Sequence, residues 1–440
     1  MTWPATPLKR VFASNTTGLW GEEAGVDAID ALCVRVADFD YSHLQVSSRA
    51  DTLRSYSEGD LKNRRLASGD ILIEKSGGGE KTPVGRAVRF ELGPDIPAIT
   101  SNFVGSLRTA PGHDSRYWTY VLASEYATRG TVPYIKQNTG IQNLDLPAYL
   151  SRRVVAPPAS QQRAIADYLD HETAEIDSLV REQNHLVGLL SERSTSAVAS
   201  VVTRGVSETQ LVPTRLTWPD FAPQHWSVQR TSWVFDSIGS GTTPNSNDSG
   251  AFGGTIPWVT TSELRERGIN ETERQLNDGT LARYPALRVH PAGSLLIAMY
   301  GATIGRLGWL EVPSTVNQAV CVFSGYKAGP TRFAYYVLLA SRSHLLTLAS
   351  GGGQPNINQD KLRSLRIPIP PVEEQKQIVE HLDATLASSE QMELDAKRLI
   401  AIAKERRVAL ISAAVTGKID VTQRHRPVAE QLEEEVLQKV

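Results

Sequence analysis

The chain repeats itself at a fixed distance of 213 residues, and this register constrains its architecture more than any single motif does. Pro157-Pro158-Ala159-Ser160-Gln161-Gln162-Arg163-Ala164-Ile165 reads against Pro370-Pro371-Val372-Glu373-Glu374-Gln375-Lys376-Gln377-Ile378. Without a gap, the same offset lays Leu169-Asp170 on Leu382-Asp383, Glu192-Arg193 on Glu405-Arg406 and Val202-Thr203 on Val415-Thr416. A register held over about 45 residues marks two copies of one unit, a large variable block followed by a helix.

Pro-Pro closes the preceding strand, and Ser160 or Glu373 suits a first helical turn. Neither Pro nor Gly follows until Gly188 in the first copy or Gly417 in the second. Apolar residues recur three and four apart, at Ile165, Leu169, Ile176, Leu179, Leu186, Leu190 and Ala197. The second copy has Ile378, Leu382, Met392, Ala396, Leu399, Ala403 and Leu410. The spacing predicts a coiled-coil seam broken by Glu172, Gln183 and Thr385. At ~1.5 Å per residue each helix runs ~65 Å, too long for most single domains, so the two are expected to pack on each other. The expected organisation is a block over 1–157, a helix over 158–207, a block over 208–369, a helix over 370–420 and a tail over 421–440. The tail's Glu433-Glu434-Glu435 reads as an acidic helix without an assigned role.

The formal net charge of −2 argues against a simple basic nucleic-acid binder, yet the charge is unevenly spread. Residues 1–157 hold 18 basic and 17 acidic side chains and residues 208–369 hold 14 and 11, while the helical segments hold 4 and 7, then 10 and 13. Mildly positive blocks thus alternate with acidic helices. The 440 residues suffice for two to four domains, no run of ~18 apolar residues predicts a membrane span, and no signal peptide is expected. Cys33 and Cys321 form neither a disulfide framework nor a metal knuckle, so they read as buried small hydrophobes in a reduced, cytoplasmic protein.

Each block reads as mixed α/β with many short strands. Gly69-Asp70-Ile71-Leu72-Ile73 matches Gly293-Ser294-Leu295-Leu296-Ile297, each followed by a Gly-rich loop ending in a Gly-Arg step, Gly85-Arg86 or Gly305-Arg306. Arg116-Tyr117-Trp118-Thr119-Tyr120 parallels Arg332-Phe333-Ala334-Tyr335-Tyr336 and is expected to be helical. Glycine lets backbone approach a ligand, Asn, Gln and Arg match base edges, and Ser, Thr and Lys suit phosphates. The candidate DNA-binding residues of the first block are Arg64, Arg65, Lys75, Ser76, Gly77, Lys81, Arg86, Lys136, Gln137 and Asn138.

Motifs of catalysis are absent. Gly77-Gly78-Gly79-Glu80-Lys81-Thr82 fails as a phosphate loop because Glu80 stands where Gly must precede the Lys. There is no His-Glu-x-x-His, Gly-x-Ser-x-Gly, Rossmann glycine signature, adenine-methyltransferase motif or nuclease carboxylate cluster. The nine His lack ligand spacing, and His290 and His344 read as ordinary partly buried residues. No catalytic or metal-binding residue is expected.

The two-copy layout resembles type I restriction–modification specificity subunits over nearly the whole chain. The resemblance is carried by Ser240-Gly241-Thr242-Thr243-Pro244, Gly253-Gly254-Thr255-Ile256-Pro257-Trp258-Val259, Tyr300-Gly301-Ala302-Thr303-Ile304-Gly305-Arg306, Val316-Asn317-Gln318-Ala319 and Ile367-Pro368-Ile369-Pro370-Pro371-Val372-Glu373-Glu374-Gln375. Together with the Gly/Asn/Gln loop Gly351-Gly352-Gly353-Gln354-Pro355-Asn356 that precedes the second helix, the second block offers Thr242, Thr243, Trp258, Thr260, Tyr300, Gly301, Thr303, Arg306, Asn317, Gln318, Gln354 and Asn356 as candidate DNA contacts. The first copy departs, with Val34-Arg35-Val36-Ala37-Asp38 in place of Pro-Trp-Val.

The resemblance implies two target-recognition domains, each reading half of a split, asymmetric double-stranded DNA site, joined by an antiparallel coiled coil. Ile165, Leu169, Ile176, Leu190, Ile378, Leu382, Leu399 and Leu410 are the expected coiled-coil and partner-docking positions. It further implies docking of modification (methyltransferase) subunits that hold S-adenosylmethionine, and of restriction subunits that use ATP and Mg2+; this chain itself is expected to bind no cofactor. Alternatives left open are a reader serving a related defence or type II-like system, a stand-alone DNA-modifying enzyme, and a scaffold for protein-binding domains.

Overall fold

The computed structural model describes residues 3–26, 29–91, 96–137, 140–245, 248, 250–349, 356–419 and 421. The chain divides into two compact units, one of residues 1–185 with 396–440, the other of residues 186–395.

In the first unit the strands β1 (Phe12–Thr17), β2 (Gln45–Val46), β3 (Ile71–Glu74), β4 (Ala87–Arg89) and β5 (Val104–Thr109) lie in the order β1-β5-β3-β4-β2, with Phe39–Asp40 beyond β2. All pairs are antiparallel except β4 with β2. In the second unit β6 (Phe235–Ser240), β7 (Gly268–Ile269), β8 (Leu295–Ala298), β9 (Leu307–Leu310) and β10 (Val320–Tyr326) take the order β6-β10-β8-β9-β7, and here too only the last pair is parallel. The register repeats as well, with Val104 opposite Glu74 and Val320 opposite Ala298. A parallel pair also recurs beside each sheet: Ile29–Val34 with Ala98–Thr100, and Phe252–Val259 with Thr315–Val316. Each sheet's central strand, Ile71-Leu72-Ile73 or Leu295-Leu296-Ile297, is apolar without alternation because both of its faces are covered.

Helix α1 (Ser115–Ala127) covers one face of the first sheet, and α3 (Thr331–Ala340) takes the same place in the second. The long helices are α2 (Ala159–Arg204) and α4 (Val372–Val415), of 46 and 44 residues, or about 69 and 66 Å at the α-helical rise. Gly188 lies within α2 rather than ending it. Gly205 and Gly417, both at positive φ, follow the helix ends, as left-handed C-terminal glycines do.

The helices pack antiparallel within each unit. In the first, Ile165 and Leu169 of α2 share a core with Ile411 and Ala414 of α4, and Ile176 packs with Ala403. In the second, Val198 and Val202 of α2 share a core with Ile378 and Leu382 of α4. Burying one such Leu or Ile contributes about 1.5–3 kcal/mol.

The seam differs from expectation at mid-helix. Leu186 and Met392 are 39% and 51% exposed, and Leu189 and Leu394 beside them 49% and 55%. Conversely, Ile165, Leu169, Ile176, Leu190, Ile378 and Leu382 are buried inside their units, while Leu399 and Leu410 are half-buried. The six buried residues are therefore coiled-coil or core residues, with no surface left to offer a partner.

Two latches, one in each block, tie the blocks to their long helices. Arg116 and Tyr120 of α1 both donate to the Asp170 carboxylate on α2, at 2.8 Å each. Arg332 of α3 lies 3.0 Å from the Asp383 carboxylate on α4, which also accepts the Tyr336 hydroxyl. Beneath each latch a buried glutamine closes the Pro-Pro corner. Gln162 donates to the Pro157 carbonyl at 2.8 Å, and Gln375 to that of Pro370 at 2.9 Å.

Candidate nucleic-acid interface

In the second unit the loops leaving β6 and β8 and the loop entering β10 meet at one end of the sheet. Met299 N–H donates to the Ala319 carbonyl at 2.8 Å, and Ile357 N–H donates to that of Met299 at 3.0 Å. Tyr300 bridges to Asn356, and the Thr243 hydroxyl donates to the Gln318 side-chain oxygen. Thr303 accepts the Arg306 N–H at 2.9 Å through its carbonyl. One sheet end thus gathers Thr242, Thr243, Tyr300, Gly301, Thr303, Arg306, Asn317, Gln318 and Asn356, with Thr243, Tyr300, Gly301, Gln318 and Asn356 exposed. Asn317 accepts the Ala319 N–H at 3.0 Å, which shapes the turn that presents Gln318.

Two expected contacts have other duties. Trp258 is only 4% exposed, and its indole N–H donates to the Thr242 carbonyl at 3.2 Å, so it supports the loop from within. Thr260 caps the short turn Thr261–Glu263, where the Glu263 carboxylate accepts its N–H and its hydroxyl. The first block builds the same turn from Arg35 and Asp38, so the segment lacking Pro-Trp-Val keeps the geometry with different chemistry. Gln354 lies outside the described residues.

The equivalent end of the first unit has the same wiring. Lys75 N–H donates to the Phe103 carbonyl at 2.8 Å, and Leu144 N–H donates to that of Lys75 at 2.8 Å. Ser76 donates its hydroxyl to Asn143 at 2.6 Å, and Ser76-Gly77 pairs with Gln142-Asn143. Arg64 donates to the Thr17 carbonyl at 2.7 Å and Lys75 to the Thr17 hydroxyl at 3.3 Å. Partial burial holds the Lys75 ammonium below its ordinary pKa. Arg65 and Lys81 are exposed. Lys136 is exposed but sits 2.6 Å from Asp145, and Gln137 donates to the Gly140 carbonyl at 3.4 Å. Asn138 lies outside the described residues.

Arg86 departs from its expected role. It donates to both oxygens of Glu74, at 3.0 and 3.3 Å, and its guanidinium lies 4.1 Å from the Tyr41 ring centroid. That pairing commits it to holding β3 against β4.

The structure adds residues that the sequence reading passed over. Asn143 occupies the place of Asn356, and the 213-residue register, followed back past the Pro-Pro corner, would have found it. Gln359 donates to Ser240 at 2.6 Å, joining β6 to the same edge. Leu19, Trp20, Phe103 and Ile141 stand exposed around the first unit's loops, whereas polar residues dominate the second.

Among the described residues no group of three or more His, Cys, Asp or Glu side chains is arranged to hold a metal. Cys33 and Cys321 are buried and unpaired, and burial pushes the Cys321 thiol up to about 12, far from the thiolate range of reactive cysteines. No helix among the described residues is long and apolar enough to cross a membrane.

A family model described as the type I restriction modification DNA specificity domain matches residues 223–400. The specificity subunit of the Escherichia coli type I restriction enzyme EcoR124I/EcoR124II is 26% identical over 135 residues, 30% of this chain and 33% of that one. The MjaVIII specificity subunit of Methanocaldococcus jannaschii is 26% identical over 309 residues, 65% of this chain and 66% of its own length. The chain thus spans a third of the first of these relatives and just under two thirds of the second. A putative MjaX specificity subunit from the same archaeon is 21% identical across 95% of this chain and 94% of that one. Among solved structures, a chain from work on complex assembly and conformational transition of the type I R-M system superposes with a TM-score of 0.72 at 15% identity, covering 94% of this chain and 97% of the other. The HsdS subunit from Thermoanaerobacter tengcongensis gives 0.54 at 14% identity, with 95% and 97% covered.

Proposed function

From its similarity to type I restriction–modification specificity subunits, we infer that this chain is a non-catalytic DNA reader whose two blocks each recognise one half of a split target. The observation that carries this reading is the duplicated loop edge. Hydrogen-bonding side chains and close backbone approach recur at the same end of both sheets, built by the same strand order. Base edges are distinguished by such paired donors and acceptors, and backbone phosphates by hydroxyls and cations. Because the edges differ in side-chain content, the two half-sites differ in sequence.

The long helices fix the spacing between half-sites, as dimer geometry does in other DNA readers. They also dock the modification subunits, which bring S-adenosylmethionine, and restriction subunits supply ATP-driven cleavage with Mg2+. The exposed mid-helix side chains Leu186, Leu189, Met392 and Leu394 support docking there, since they leave apolar surface on the long helices for a partner to cover. Methylation mapping of DNA exposed to this chain with its modification subunits tests the reading. A split, asymmetric methylated motif is expected; a continuous motif, or methyl transfer by the chain alone, contradicts it.

A further inference from the structure

The Gly-Arg step occurs once in each block, and the structure gives its arginine different surroundings in the two copies. Both arginines occupy one place in the fold: Glu74 N–H donates to the Arg86 carbonyl at 2.8 Å, and Ala298 N–H donates to that of Arg306 at 2.9 Å. Both follow a glycine at positive φ, Gly85 at 110° and Gly305 at 77°, so the backbone is set alike. The difference lies one strand away. The first block has a buried Glu74 at the end of the central strand, and its carboxylate neutralises Arg86. The second has Ala298 there, and among the described residues no carboxylate pairs with Arg306.

We infer that Arg306 is a DNA-contacting cation of the second block, while Glu74 masks its counterpart Arg86. This rests on the DNA-reading function proposed above and names which guanidinium takes part. Arg306 is half-buried and shares its loop with Tyr300 and Thr303. An arginine whose backbone is held in the loop and whose guanidinium has no carboxylate partner is available to a planar acceptor pair, either phosphate oxygens or the O6 and N7 of guanine. The Nε–Nη2 edge of Arg86 is already taken by both oxygens of Glu74, and its charge is neutralised there.

The test measures DNA affinity against salt concentration, using the full chain assembled with its modification subunits and a duplex carrying its mapped site. Arg306→Gln is expected to weaken binding about tenfold and, for a phosphate contact, to flatten the log–log salt slope by about one. Arg86→Gln is expected to leave the slope unchanged, whatever it does to stability. Glu74→Gln keeps the shape, removes the charge and frees Arg86, so it is expected to steepen the slope. Arg306→Lys separates the two acceptors: it preserves a phosphate contact but loses discrimination at one base position if guanine is read. Wild-type binding with unaltered Arg306→Gln affinity overturns the inference alone, as does equal loss from Arg86→Gln or an unchanged slope in Glu74→Gln. No sequence-dependent binding by the wild-type complex overturns the DNA-reading function and the inference together.

Discussion

A Cβ added at Gly241 would lie 1.7 Å from the Val316 carbonyl oxygen, and one at Gly18 would lie 2.1 Å from that of Thr100. Both glycines sit just after the first strand of their sheet, where the chain crosses the turn that enters the last one. Gly241→Ala therefore forces backbone to move and is expected to cost about 2–4 kcal/mol in urea unfolding. Gly239→Ala, with nothing within 4 Å of its Cβ, is expected to stay within about 0.5 kcal/mol of wild type. Equal losses at the two positions would remove the close-approach argument.

Three histidines add a pH dependence at the same scale. Burial lowers the pKa of His113, His290 and His344 below the ordinary 6.5. His113 also accepts the Trp118 indole N–H at 3.2 Å, which requires the neutral ring. As pH falls, the unfolded chain protonates first, so this stability is present above about pH 6.5 and lost as pH drops through the lower folded values. The melting temperature is expected to fall between about pH 7.5 and 5.5, with His113→Asn flattening the trend; no slope in that window would show that these rings titrate alike in both states.

At the scale of elements, the latches hold α1 on α2 and α3 on α4. Asp383→Ala leaves the Tyr336 hydroxyl and the Arg332 guanidinium without their acceptor, whereas in Asp170→Ala Arg116 keeps Asp114 and Asp167 and the Tyr120 hydroxyl keeps Thr173. Both carboxylates are well exposed, so solvent moderates the loss to about 1 kcal/mol each. The two latches share no partner, so the double variant is expected to be additive in chemical denaturation, and strong coupling would contradict their independence.

Much at this scale was legible in sequence. A long helix tolerates no inserted residue, so the copies kept one register, and Leu169-Asp170 on Leu382-Asp383 already contained half of each latch. The rest was hidden because strands of two to eight residues joined by unequal loops preserve pairing without preserving spacing. The different fates of Arg86 and Arg306 depend on Glu74 and Ala298, one residue beyond the apolar triplets that drew attention to those strands. Trp258 belonged to a resembling motif, yet the motif held a scaffold residue as well as surface ones.

For the whole molecule, the repeat explains why one chain carries two unlike loop edges on one plan. The sheets share strand order, corner glutamines and latches, while the edges differ in charge, apolar exposure and hydrogen-bonding groups. Scaffold and loop edge are therefore separable, and the function proposed above assigns specificity block by block. The most direct test exchanges residues 208–369 for the corresponding block of a similar specificity subunit and maps the methylated motif of the resulting complex. Two separate readers predict that one half of the split motif changes while the other half and the gap persist; a change in both halves, or in neither, would contradict the account.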